Sequence, residues 1–154
     1  AFGTLITTSF KVFDVNVDDE KNYLSLTAKH NAYENNFNYI HKRMIRIDKK
    51  NSNLLGEDSL IASNENKTLS NTYSIRFHLY PGVNAVQTMG KNSILIQFDK
   101  NKSLIFASSG ENLILEKSIF LGKNQIINNF CITISGTLNK NENKIITWEL
   151  KRSN

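Results

Sequence analysis

The sequence predicts an all-β protein, an antiparallel two-sheet β-sandwich of roughly ten to twelve short strands. Apolar and polar residues alternate with period two along most of the chain, as they do in half-buried strands. Clusters of Asn, Asp, Gly and Ser break the alternation every ~8–12 residues, where turns are expected. No stretch sustains a 3.6-residue apolar period over three turns, so no helix is expected.

The opening AFGTLITT already reads as a strand. In FKVFDVNV, strict alternation puts Phe10, Val12, Asp14 and Asn16 on one face and Lys11, Phe13, Val15 and Val17 on the other. YLSLTAKH continues after an Asp-Asp-Glu-Lys-Asn turn. A polar Glu-Asn-Asn turn separates it from YIHKRMIRID, a long strand ending at DKKNSN, and LLGEDSLIA follows. YSIRFHLY over 73–80 is stopped by Pro81-Gly82, a turn pair. SILIQF, SLIFASS, LILEKSIF, IINNFCITISGTL and KIITWEL complete the set. β-branched and aromatic residues fill these runs, as pleated surfaces prefer. SILIQF-DKNK-SLIFASS and ITISGTL-NKNEN-KIITWEL both read as antiparallel hairpins with short polar loops. SNENKTLSNT is a loop and not a linker, so residues 1–154 form a single domain.

The formal charge is +5, but the lysines are scattered through Asn-rich turns and do not line one element. No aromatic-basic interleaving marks a nucleic-acid surface, and nucleic acid is not an expected partner. No apolar run approaches the roughly 20 residues of a membrane-spanning helix. The lone cysteine, Cys131, alternates with apolar neighbours in FCITIS and reads as a small buried hydrophobe. The chain starts Ala-Phe-Gly with no signal-peptide pattern, which suggests a piece excised from a longer polypeptide.

In YIHKRMIRID, the face bearing Tyr39, His41, Arg43, Ile45 and Ile47 is the more apolar and should point inward. An inward arginine needs an acidic partner, or its burial costs several kcal/mol. The nearest candidates are Glu57 and Asp58 in LLGEDSLIA, so a bridge from Arg43 to one of them is expected. His41, Arg43, Glu57 and Asp58 are thus read as a structural network. In RFHLY, the row Arg76, His78 and Tyr80 is a solvated face or one wall of a surface for an anionic, hydroxylated ligand. His30 and Tyr33 lie at a strand end and turn, where they would line a cleft. His30, His41 and His78 lack the spacing and partners of a zinc set. No nucleophile sits on a Gly-x-Ser-x-Gly turn. Neither a metal, a cofactor nor a hydrolytic triad is expected.

Taken in order, HNAY, NFNYIHKR, LLGEDSL, RFHLYPGV, ILIQFDKNKSLIFASSG, EKSIFLG and ITWELKR resemble the C-terminal β-sandwich of the heparinase II/III-like proteins, a family of bacterial polysaccharide lyases. The resemblance runs from His30 to Arg152, and its sharpest pieces are H-x-x-Y, H-x-R, G-E-D and R-F-H-x-x-P-G-V. Its family positions are His30, Tyr33, His41, Arg43, Glu57, Asp58, Arg76, His78 and Pro81. The resemblance implies an enzyme whose N-terminal α/α toroid forms most of a cleft and whose sandwich closes one side. It implies β-elimination on a uronic-acid-containing polysaccharide, with tyrosine and histidine as base and acid. The catalytic residues would lie upstream of Ala1 and in the toroid, leaving none here. The partners implied are an acidic polysaccharide and the toroid of the same polypeptide, in the periplasm or cell envelope. The competing expectation is a stand-alone carbohydrate-binding or structural sandwich. If strands upstream of Ala1 belong to this sandwich, an unpaired edge should lie beside its first strand.

Overall fold

The computed structural model describes residues 9–63, 72–100, 102–122, 125–139 and 142–153. In chain order its elements are β1 (Val12–Asp19), β2 (Tyr23–His30), α1 (Glu34–Phe37), β3 (Tyr39–Asp48), β4 (Leu54–Ala62), β5 (Thr72–His78), β6 (Asn84–Gln87), β7 (Ser93–Asp99), β8 (Lys102–Ser108), β9 (Asn112–Leu121), β10 (Ile126–Thr137) and β11 (Lys144–Arg152). The strand expected over AFGTLITT and most of the SNENKTLSNT loop lie outside the described residues. Among the described residues the only helix is the single turn of α1, and no helix is long and apolar enough to cross a membrane.

The strands form two antiparallel sheets, one of eight in the order β1-β2-β3-β4-β11-β8-β7-β6 and one of three in the order β5-β10-β9. The β7–β8 hairpin forms as the sequence predicts, with Asp99 opposite Lys102 at its turn. The second expected hairpin does not form. β10 lies between β5 and β9 in the small sheet, whereas β11 lies between β4 and β8 in the large one. The apolar rows of ITISGTL and KIITWEL therefore face each other across the core and do not lie side by side. Period two identifies a buried face but does not name the strand that pairs with it.

Strict alternation also fails in β1. Val12 pairs with His30 and Val17 with Leu26, with a register shift between Phe13 and Asn16. Asp14, at φ 50°, sits in this bulge. One extra residue turns the strand over, so Val12 shares a face with Val15 and Val17. The short β6 is absent from the sequence reading, since four residues give too little alternation to detect.

The core fills the space between the sheets. Ile94, Ile96, Phe106, Ile146 and Trp148 from the large sheet meet Tyr73, Leu113, Ile132 and Ile134 from the small one. Each fully buried isoleucine contributes about 1.5–3 kcal/mol by leaving water. Cys131 is buried on the central strand of the small sheet. On one side Gln87 of β6 clasps β9, donating from Nε2 to the Leu113 carbonyl at 2.6 Å and accepting from the Leu115 N–H at 3.5 Å. On the other side Phe77 of β5 packs on Phe106 and Trp148, with ring centroids 5.1 and 4.8 Å apart. Pro81-Gly82 makes the return from β5 to the large sheet. The Val83 N–H reaches the Tyr80 carbonyl at 3.2 Å, and Gly82 takes the φ of 86° that this turn demands.

Candidate functional site

The β2–β3 hairpin places His30 directly opposite His41, and the β3–β4 pairing places Arg43 directly opposite Asp58. All four side chains point to the inner face, because partners in an antiparallel pair share a face. Asp58 is completely buried. Its Oδ1 accepts from His41 Nε2 at 2.6 Å and from Arg43 Nε at 2.7 Å. Its Oδ2 accepts from Trp148 Nε1 at 2.8 Å. The expected bridge from Arg43 thus falls to Asp58. Glu57 points to the opposite face of β4, where it accepts from Ser59 Oγ at 3.0 Å, and it is no part of the network.

Gly56 explains how Trp148 reaches this carboxylate. It lies opposite Trp148 in the register, and a Cβ there would fall 2.1 Å from the indole ring. The bare backbone lets the indole lie flat across β4 and aim its N–H at Asp58, two residues along. Sequence reasoning missed Trp148. The available signal was that a buried indole N–H needs an acceptor and that Gly56 and Asp58 share one strand face.

The network continues outward. His41 Nδ1 lies 2.9 Å from His30 Nε2, and the Ala32 N–H donates to His30 Nδ1 at 3.3 Å. These contacts fix both tautomers. His30 receives at Nδ1 and donates from Nε2, and His41 then receives at Nδ1 and donates from Nε2 to the carboxylate. Every ring nitrogen of the pair is occupied. Burial pushes the Asp58 carboxyl up, but the hydrogen bonds from His41, Arg43 and Trp148 outweigh it and hold the group below the ordinary carboxylate range. Burial, followed by the neighbouring His41 and Arg43, lowers His30 below the usual histidine value, so it is neutral at pH 7.

Around His30 the surface is aromatic. Its ring lies 5.7 Å from Phe10 and 5.3 Å from Tyr33, and Tyr33 lies 6.3 Å from Phe37. Phe10, Tyr33 and Phe37 are all exposed. The Glu-Asn-Asn turn is the helical turn α1, closed by Asn38 in the left-handed region at φ 64°, and it presents Tyr33 and Phe37 together. The arrangement offers exposed ring faces and a phenol around a neutral, pinned imidazole, which suits stacking on sugar rings.

The other sequence candidates lie elsewhere. Arg76 and His78 occupy the outer face of β5, where Arg76 Nε reaches Ser74 Oγ at 3.5 Å and His78 Nδ1 lies 3.3 Å from Ser118 Oγ. Tyr80 is largely exposed, 5.8 Å from Phe120. Among the described residues no hydrogen bond, ion pair or ring contact joins this group to His30 and Tyr33, so the five candidates form two separate surfaces. No three His, Cys, Asp or Glu side chains among the described residues converge as metal ligands would.

Residues 6–149 match the family model described as heparinase II/III-like, C-terminal. The fold is similar to a heparan sulfate lyase from Pedobacter heparinus, with TM-score 0.77 and 16% identity, covering 92% of this chain and 22% of that one. It is similar also to a heparinase III, with TM-score 0.72 and 16% identity, covering 95% of this chain and 21% of the other. The chain therefore spans only about a fifth of the length of these solved lyases. A comparison with curated protein sequences gives no match.

Proposed function

This chain belongs to the heparinase II/III-like, C-terminal family, and from that premise we propose that it is the β-sandwich closing one side of a lyase cleft. The substrate is a uronic-acid-containing polysaccharide, cleaved by β-elimination. In that reaction a base removes the proton beside the carboxyl group, the carboxylate is neutralised, and the leaving glycosidic oxygen takes up a proton. The family match over residues 6–149 carries the reading. The aromatic rim of Phe10, Tyr33 and Phe37 around His30 supports a wall that holds sugar rings.

The sandwich does not turn over substrate by itself. Both nitrogens of His30 and both of His41 are engaged, which leaves neither imidazole a lone pair for a substrate proton. Base and acid come from the remainder of the lyase, including its N-terminal toroid. The same reading carries an expectation of export to the periplasm or cell envelope.

The test compares the 154-residue chain with the longer lyase polypeptide on heparan sulfate and on alginate, following the ultraviolet absorbance of the unsaturated uronate product. Only the longer protein should raise that absorbance. Within it, Tyr33→Ala and Phe37→Ala should each raise KM about fivefold, for the loss of about 1 kcal/mol of ring contact. Turnover by the 154-residue chain alone would overturn the non-catalytic role, and an unchanged KM would overturn the cleft wall. Glycan binding by the short chain, with no cleavage by the long one, would favour the stand-alone binding module.

A further inference from the structure

Among the described residues the two sheets are unequal, with eight strands in one and three in the other. Gln87 ties β9 to β6 at one side, and Phe77 sets β5 over Trp148 and Phe106, with the Arg43 guanidinium 5.7 Å above its own ring. Among the described residues the core cluster takes in no side chain of β1 or β2. An inner face left to water should be polar. This one carries Val12, Val15 and Val17, 59%, 59% and 60% exposed, with Leu26 at 44% and Ile47 at 41%. The bulge at Asp14 is what gathers the three valines there. The opposite face of the same strands is mostly polar, with Asn16, Asp18, Thr27, Lys29 and Arg46 beside Phe13 and Met44. The alternation is that of strands covered on one side, yet none of the described strands supplies the cover.

Two further observations point to what belongs there. Among the described residues β5 is paired on one edge only, to β10, and an open backbone edge is a template for another strand. Among the described residues Arg43 hydrogen-bonds through Nε alone, and its side chain is 38% exposed beside this gap.

We propose that β-strands of the same lyase polypeptide, from outside residues 1–154, extend the small sheet from the β5 edge, cover the Val12–Val15–Val17–Leu26–Ile47 face and bring a carbonyl or carboxylate to the Arg43 Nη groups. The proposal rests on membership of the lyase family but not on the cleft role. The occupant is the same chain because the matched lyases run to more than four times the length spanned here and because the open edge continues a sheet already in place.

The test uses the longer polypeptide with photo-leucine incorporated in place of leucine. Cross-links from Leu26, mapped by mass spectrometry, should reach a peptide outside residues 1–154. In parallel, Val17→Cys should react with a maleimide about a hundredfold more slowly than Val86→Cys on exposed β6, as expected of a site reached only by local opening. Equal labelling rates at the two positions would overturn the proposal. So would a cross-link confined to residues 1–154, or one made only to a second copy. An uncovered face in a protein that still cleaves uronate chains sinks this inference alone. A covered face in a protein that cleaves none sinks the lyase function and leaves the interface standing.

Discussion

Replacing Asp58 with alanine removes the acceptor of three hydrogen bonds, from His41, Arg43 and Trp148 at 2.6, 2.7 and 2.8 Å. Breaking a buried ion pair by deleting one partner costs about 3–5 kcal/mol. Water reaches Arg43, whose side chain is 38% exposed, so the lower end of that range applies. The indole N–H of Trp148 is stranded in the core and adds about 1–3 kcal/mol. These losses overlap, and a total of about 4 kcal/mol is expected, equivalent to a fall in Tm of about 8–16 °C. Asp58→Asn is no rescue. An amide that accepts from His41 and Arg43 turns its own N–H groups toward Trp148, giving a loss of about 2 kcal/mol. Glu57→Gln, one residue away but on the opposite face, should stay within about 0.5 kcal/mol of the parent. Urea unfolding reports the difference through the fluorescence of Trp148, the chain's only tryptophan. The carboxyl is held below its unfolded-state value, so its contribution is complete above about pH 4 and is lost as the pH falls through the folded value. An Asp58→Ala protein less than about 1 kcal/mol weaker than Glu57→Gln would refute the organising role of this carboxylate.

Gly56→Ala sets a Cβ 2.1 Å from the Trp148 ring and should cost about 3 kcal/mol or more, with loss of the near-ultraviolet circular dichroism of the indole. His30 is lowered by burial and by His41 and Arg43, so stability should hold above about pH 6.5 and decline as the pH falls toward the folded value. His30→Gln should flatten that decline, as read from urea midpoints at successive pH values. Gln87→Ala removes the clasp on β9 and should cost about 1 kcal/mol, with faster amide exchange at Leu115.

Most of the strands were legible because each carries its own alternation, and β2, β3, β4 and β7 through β9 lie within a residue or two of where the sequence puts them. The sheet to which a strand belongs was not legible. ITISGTL and KIITWEL are joined by a short polar loop that suits a hairpin, yet the partners of β11 are β4 and β8. Pairing on that scale depends on which distant strands offer complementary rows. The candidate site divides in the same way. Arg43 was readable as a charge that must be met by Glu57 or Asp58, and only the register of β3 on β4 decides for Asp58. Trp148 was not, because it comes 90 residues after Asp58 and only the assembled sheet brings it near. The valine face of β1 was hidden by the bulge at Asp14, which strict alternation cannot anticipate.

The strand order has a consequence for how the molecule is made. β11 is the last of the described strands, yet it stands in the middle of the large sheet, with β1 to β4 on one side and β8, β7 and β6 on the other. During synthesis both flanking blocks exist before the strand that joins them, and each waits with an open edge. Trp148 arrives with that strand, so the core acquires its central indole and Asp58 its third donor only when β11 joins. A premature stop or frameshift ahead of Lys144 therefore removes the strand that joins two halves of a sheet. Such a product should be cleared or aggregate as completely as one cut near its beginning.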